Sequence, residues 1–358
     1  MYYLCIFTRP SELRKEGLEV SLLWLVVIGF IGWSMPGHAA THVWEMTIED
    51  TKLTLVGNTQ FHTFAFNGQV PGPLIHVQEG DQVTVNVTNL TSLPHTIHWH
   101  GILQRESWRS DGVPDVTQPA IGPGETFTYK FVAEPAGTLW YHCHVNVNEH
   151  VGIRGMWGPL IIDPKTPSPI EKAVTKDVIL MLSGWASQWA FKPGQGGLPG
   201  DVFDFFTING KAFPDNQPLR VRQGDVVRLR LIGVGDLLHA IHIHGHVFQI
   251  AFKDGHPLPQ PIDADTVLIS PGERYDLILR ADNPGRWMVH DHIDSHTMNG
   301  DKPMGGLMTI IEYDGIPTDE PWYVWKDKAF VPDFYYEEAL RKPHGMYESK
   351  AFKGVPIE

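Results

Sequence analysis

Five short segments of this 358-residue chain recur in the same order further along it, and that repetition constrains the fold more tightly than any other property. Phe66-Asn67-Gly68 returns as Ile208-Asn209-Gly210, and Gly80-Asp81 as Gly224-Asp225. His95-Thr-Ile-His98-Trp-His100-Gly101 returns as His239-Ala-Ile-His242-Ile-His244-Gly245. Pro123-Gly124-Glu125 returns as Pro271-Gly272-Glu273, and His142-Cys-His144 as His290-Asp-His292. The offsets are 142, 144, 144, 148 and 148 residues, so one domain has been duplicated with only small insertions. Inside each copy, alternating runs such as Gln82-Val-Thr-Val-Asn-Val-Thr88 and Thr126-Phe-Thr-Tyr-Lys-Phe-Val132 lie between Gly- and Pro-rich turns. A period of two with frequent turns predicts an all-β chain of two tandem Greek-key β-sandwich or barrel domains. The expected boundaries are 41–165 for the first copy, 166–175 for a linker and 176–312 for the second. An aromatic- and proline-rich tail follows over 313–358, and Phe334 to Arg341 is its best helix candidate.

Residues 1–40 read as a leader. An apolar run from Val20 to Trp33 precedes Ser34-Met35-Pro36-Gly37-His38-Ala39-Ala40, which resembles a secretory core and a small-x-small cleavage site. The run is shorter than the roughly 20 residues that span a bilayer. Export to the periplasm or medium is therefore expected, with no stable membrane anchor. The formal charge of −13 survives removal of the leader and argues against nucleic acid as a partner. Of the two cysteines, Cys5 falls in the leader and Cys143 stays. One thiol in an oxidising compartment cannot build an intrachain disulfide framework, which leaves burial or metal ligation.

Four His-x-His pairs stand out: His98 with His100, His142 with His144, His242 with His244, and His290 with His292. In a strand, residues i and i+2 share a face, so each pair is a two-pronged ligand. Eight imidazoles from four strands suit a cluster of three copper ions between two such domains. Cys143 points the other way, into its own domain, where His95, His150 and Met156 can join it. A thiolate, two imidazoles and a weak thioether make a blue-copper site.

With these motifs the chain resembles the two-domain multicopper oxidases, of the laccase-like type with blue copper in the first domain. The resemblance covers nearly all of residues 45–312. It implies cupredoxin-like domains and four coppers per subunit: one type 1, one type 2 and a type 3 pair. It makes His95, Cys143, His150 and Met156 the type 1 ligands and His98 and His242 the type 2 ligands. His100, His142, His144, His244, His290 and His292 hold the type 3 pair. His150 and Met156 lie 7 and 13 residues after Cys143, further than in three-domain laccases, and the departure bears on the axial position of Met156. The family further implies a homotrimer with each trinuclear cluster between subunits, although the sequence alone leaves the cluster's location open. Asp111, in Ser110-Asp-Gly-Val-Pro114, matches the family's acidic residue near the cluster; it is a candidate proton donor or the apex of an Asp-Gly turn.

The expected activity is a laccase-like oxidation of phenols, aromatic amines or metal ions coupled to reduction of dioxygen to water. Asp294 is a second proton-relay candidate. Two rivals stand beside this. A copper nitrite reductase would carry an aspartate where His98 stands and would lack His144 and the His290-Asp-His292 strand. The other is a non-catalytic copper-storage or electron-carrier protein; a carrier would use only the blue site and leave eight histidines unexplained. Aligning the copies sets Asp291 opposite Cys143 and His239 opposite His95, with His296 in the place of His150 and Met304 near that of Met156. This group is either a decayed, hydrogen-bonded remnant or an extra zinc or cupric site. The loop Trp185 to Phe206 is either the border of a binding surface or a solvated connection, and the dispersed methionines do not indicate a cuprous oxidase.

Overall fold

The computed structural model describes residues 39–316, and the leader and the 317–358 segment, with the Phe334 to Arg341 helix candidate, lie outside them. The first copy is two four-stranded sheets. One runs in the order Thr59–Phe66, Thr41–Val56, Gln82–Asn89, Thr126–Val132; the other runs Ile75–Gln78, Trp157–Asp163, Gly137–His142, His98–His100. The second copy pairs an eight-stranded sheet with a five-stranded one ordered Leu219–Val221, Met308–Tyr313, Arg286–Asp291, His239–Ile243, Thr266–Ile269. Its closing strand runs to Tyr313, one residue past the expected boundary at 312. The 166–175 connection holds a short helix, Pro169–Ala173, that Ser168 and Glu171 start with a capping box.

The alternating sequences produce the half-buried strands that periodicity requires. Along Gln82–Asn89, Val83, Val85 and Val87 face the core while the intervening residues stay more open. Gly137–His142 is different, because all of it is buried. Leu139 and Tyr141 face the core of their own domain. Trp140 faces the other way into a cluster with Trp157, Met181, Trp185 and Ile232, which joins the two copies. A buried polar network reinforces the join. Thr138 Oγ1 donates to Asp276 Oδ1 at 2.6 Å and accepts from Arg230 Nη1 at 2.7 Å, while Arg228 Nε donates to Asp276 Oδ2 at 2.9 Å. The strand that leads into Cys143 is thus held on both faces.

Candidate metal centre

The alternation along Gly137–His142 decides which way the next residues project. Cys143 continues the Leu139 and Tyr141 face and is fully buried with Met156 in the first core. Its Sγ lies 3.6 Å from His95 Nδ1 and 3.4 Å from His150 Nδ1. A thiolate and an imidazole bound to one tetrahedral ion stand roughly 3.5 Å apart, so these three atoms are spaced for a common metal. The loop is tied back on itself, since Cys143 N donates to Met156 O at 3.1 Å and Met156 N donates to His150 O at 3.0 Å. Burial holds His95 at a pKa of about 3 and, with the nearby Arg154 guanidinium, His150 at about 4, so both imidazoles keep a lone pair at neutral pH. Burial also pushes the Cys143 thiol up to about 11. A thiolate there calls for a cation beside it.

His142 and His144 take the opposite face. His142 stacks on Trp140 at 4.4 Å between ring centroids, and Trp140 stacks in turn on His100 at 5.0 Å. His98 centres the group, with its ring 5.5 Å from His100, 5.3 Å from His142 and 5.5 Å from His144. Ligand atoms of His98, His100 and His142 all fall within 4.8 Å of one another. In the second copy His242, His244, His290 and His292 repeat the arrangement at ring separations from 4.9 to 5.8 Å. His244 Nε2 and His290 Nε2 approach to 3.1 Å. Among the described residues, these eight histidines make their histidine–histidine ring contacts within one set or the other.

Four of the eight rings have their tautomer fixed by a backbone carbonyl. His98 Nδ1 donates to Asp111 O at 2.7 Å, His142 Nδ1 to Cys143 O at 2.8 Å, His242 Nδ1 to Asp265 O at 2.8 Å and His290 Nδ1 to Asp291 O at 2.9 Å. Each bond leaves Nε2 bare and aimed, the state a metal ligand requires. Asp111 therefore orients His98 through its main chain, with Oδ1 3.5 Å from the same nitrogen. The turn demands glycine next: Gly112 has φ +90°, and a Cβ there would stand 1.8 Å from Ile97 O. Asp294, the other relay candidate, opens the short helical turn Asp294–Thr297.

Two copies of one domain with this donor set have known counterparts. Multicopper oxidase family models match residues 47–167 and 181–302. The blue copper oxidase from Nitrosomonas europaea is similar in structure, with a TM-score of 0.79 and 71% identity over 88% of this chain and 100% of that one. The chain belongs to the multicopper oxidase family. The multicopper oxidase mgLAC is also similar, with a TM-score of 0.78 and 60% identity over 88% of this chain and 99% of that one. Laccase-2 of Botryotinia fuckeliana is 33% identical over 317 residues, which are 80% of this chain and 51% of that protein. The chain spans about half the length of the curated relatives it matches. Copper is the cofactor of this family, and the donors above fit it, being soft sulfur and neutral imidazole.

Three supports were not visible as motifs. Thr91 Oγ1 donates to Asn89 Oδ1 and accepts from His95 Nε2 at 2.9 Å, which fixes that ring. Glu149 and Arg154, both fully buried, pair at 3.1 Å beside His150. Arg154 also donates to the carbonyls of His62, Ala190 and Lys192, so it staples the 187–197 connection over the loop that carries His150 and Met156. That connection is more than a solvated link: Gly196 and Gly197 are buried against Ile153 and Asn148. His246, inside its own domain, bonds Tyr313 Oη at 2.6 Å and the carbonyl of His244 at 3.0 Å. A hydroxyl four residues before His95 could have pointed to Thr91, but nothing local marks Arg154.

Proposed function

We propose that this chain is a laccase-like oxidase that takes single electrons from small-molecule or metal-ion donors and reduces dioxygen to water. One observation carries the reading. Two differently made donor sets, one of sulfur and nitrogen and one of nitrogen alone, are covalently joined at the tripeptide His142-Cys143-His144. His95, Cys143, His150 and Met156 would hold type 1 copper; His98 and His242 would hold type 2; and His100, His142, His144, His244, His290 and His292 would hold the type 3 pair. Copper bound at these donors supplies the one-electron redox chemistry. The balanced reaction takes four electrons and four protons with each dioxygen and releases two waters.

The protein's own part is positioning and proton supply. One peptide link joins Cys143 to each neighbouring histidine, so the donor sets are separated by the shortest covalent path a chain allows. Backbone carbonyls hold His98, His142, His242 and His290 with Nε2 unprotonated. Asp111 stands beside His98 with its carboxyl part-exposed, and it delivers protons while it orients the ring. Phenols, aromatic amines and metal ions are the donor classes proposed.

Each cluster is completed by the second domain of a neighbouring subunit in a homotrimer. The exposure of His244 and His292 supports this, as does the identity of the same-chain segment that reaches His100. That segment is the turn at Gly272, where a Cβ would stand 3.2 Å from His100 Cε1, and not a histidine strand. The chain is exported, with residues 1–40 as its signal. Copper analysis with oxygen uptake tests the function: four coppers per chain and donor-dependent uptake are expected. One or two coppers with nitrite turnover would establish the reductase instead.

A further inference from the structure

The second copy keeps a buried counterpart of the blue centre that the proposed reaction does not use. His239, Asp291 and His296 are all buried, and their ligand atoms lie within 4.8 Å of one another. Asp291 Oδ2 lies 2.7 Å from His239 Nδ1 and 2.7 Å from His296 Nδ1. Asp291 Oδ1 accepts from Ala240 N at 2.9 Å and from Ile293 N at 3.0 Å. The carboxylate therefore takes four hydrogen bonds from four points of the chain. Even the aromatic cover is repeated: Phe64 packs on His95 and His150, and Phe206, 142 residues on, stacks on His296 at 4.2 Å.

Three observations separate this group from a metal site. An oxygen and a nitrogen on one tetrahedral ion stand roughly 3.3 Å apart, whereas 2.7 Å is a short charge-assisted hydrogen bond. The threonine that fixes His95 has Gly235 at its aligned position, so His239 has lost that anchor; its Nε2 is buried without a hydrogen-bond partner. A proton on Nδ1 leaves that Nε2 a bare acceptor, but a metal on Nδ1 would force an unpaired N–H into the core. Finally, the thioether has no counterpart at hand, because Met304 is 39% exposed in a left-handed turn.

We infer that Asp291, with His239 and His296, is a metal-free clamp that stands in for the blue centre and positions His290 and His292 as copper ligands. The placement fits that task. The ladder between the two histidine-bearing strands pairs Ile241 with Asp291 and His242 with His290, and it ends there. Past that end, Asp291 Oδ1 holds Ala240 of one strand and Ile293 beyond the other, while His292 N donates to Ala240 O at 2.7 Å. His296 anchors the following turn. Asp291 is a positioning residue, and its role rests on the assignment of His290 and His292 to the trinuclear cluster.

The test compares full-length, copper-reconstituted wild type with Asp291→Ala, Asp291→Asn and His296→Phe. Copper affinity of the trinuclear set should fall on the order of 10- to 100-fold in Asp291→Ala when measured against a competing chelator, with the blue absorbance of the first domain unchanged. In the copper-free protein the amides of Ala240 and Ile293 should lose exchange protection. Asp291→Asn keeps the Oδ1 acceptor and should retain more of both. Where Asp291→Ala does not fold, His296→Phe is expected to weaken trinuclear copper while sparing the blue centre. Unchanged trinuclear affinity in the variants would overturn the inference, as would a fifth metal equivalent lost from His296→Phe with the other four intact. A wild type with fewer than four coppers would instead refute the oxidase assignment itself.

Discussion

The two copies carry a similar frame whose central residue is exchanged, along with the threonine anchor and the buried methionine. In the first, Cys143 Sγ stands 3.4 to 3.6 Å from two imidazole nitrogens; in the second, Asp291 Oδ2 stands 2.7 Å from two. A buried thiol makes weak hydrogen bonds and is held by burial as a thiol, so that pocket is satisfied only when a cation arrives. A carboxylate is satisfied by protons the histidines already own, and those bonds depress its pKa despite burial. The exchange of thiol for carboxylate thus replaces a pocket that waits for a cation with one that is closed by hydrogen bonds. Both copies keep the flanking histidines that face outward, which shows that the two faces of a strand can diverge independently.

The comparison can be broken first at its sulfur. Cys143→Ser should abolish donor-dependent oxygen uptake and remove the blue absorbance and one copper per chain, leaving the trinuclear copper in place by metal analysis. His144→Ala or His292→Ala should do the converse: the blue centre forms and is bleached by a reductant but is not recoloured by oxygen, as stopped-flow absorbance would reveal. Loss of blue colour in either would mean the faces are not separable. Glu149→Ala, which strands the buried Arg154 charge in the first copy, should cost about 3–5 kcal/mol in denaturant unfolding. Adding Arg154→Leu should recover part of that loss, because it removes the unpaired charge. The smallest effect is expected from Thr91→Val, which makes the His95 anchor like its counterpart at Gly235. Copper at the blue site should bind about tenfold more weakly, about 1.4 kcal/mol, in a chelator titration.

Much of this was legible because the informative residues sit in short, periodic segments. His98-Trp-His100 and His142-Cys-His144 declare by alternation alone which side chains share a face, and the repeat turns four such pairs into a two-domain β architecture. What stayed hidden depends on contacts between distant segments. Arg154 lies in a loop with no period, and its partners at His62, Ala190 and Lys192 are brought together only by the packing of one copy on the other. Thr138, Arg230 and Asp276 look like ordinary strand residues until the two sheets meet around them. The state of Asp291 was equally ambiguous, since His, Asp and His can serve a metal or each other, and only distances decide.

Copper analysis of the purified, reconstituted chain, combined with quantitative electron paramagnetic resonance, tests the central claim most directly. One wired copy and one clamped copy predict four coppers per chain, with a single blue signal that disappears in Cys143→Ser and persists in Asp291→Ala. A second blue signal, a fifth copper tied to Asp291, or only two coppers per chain would contradict it.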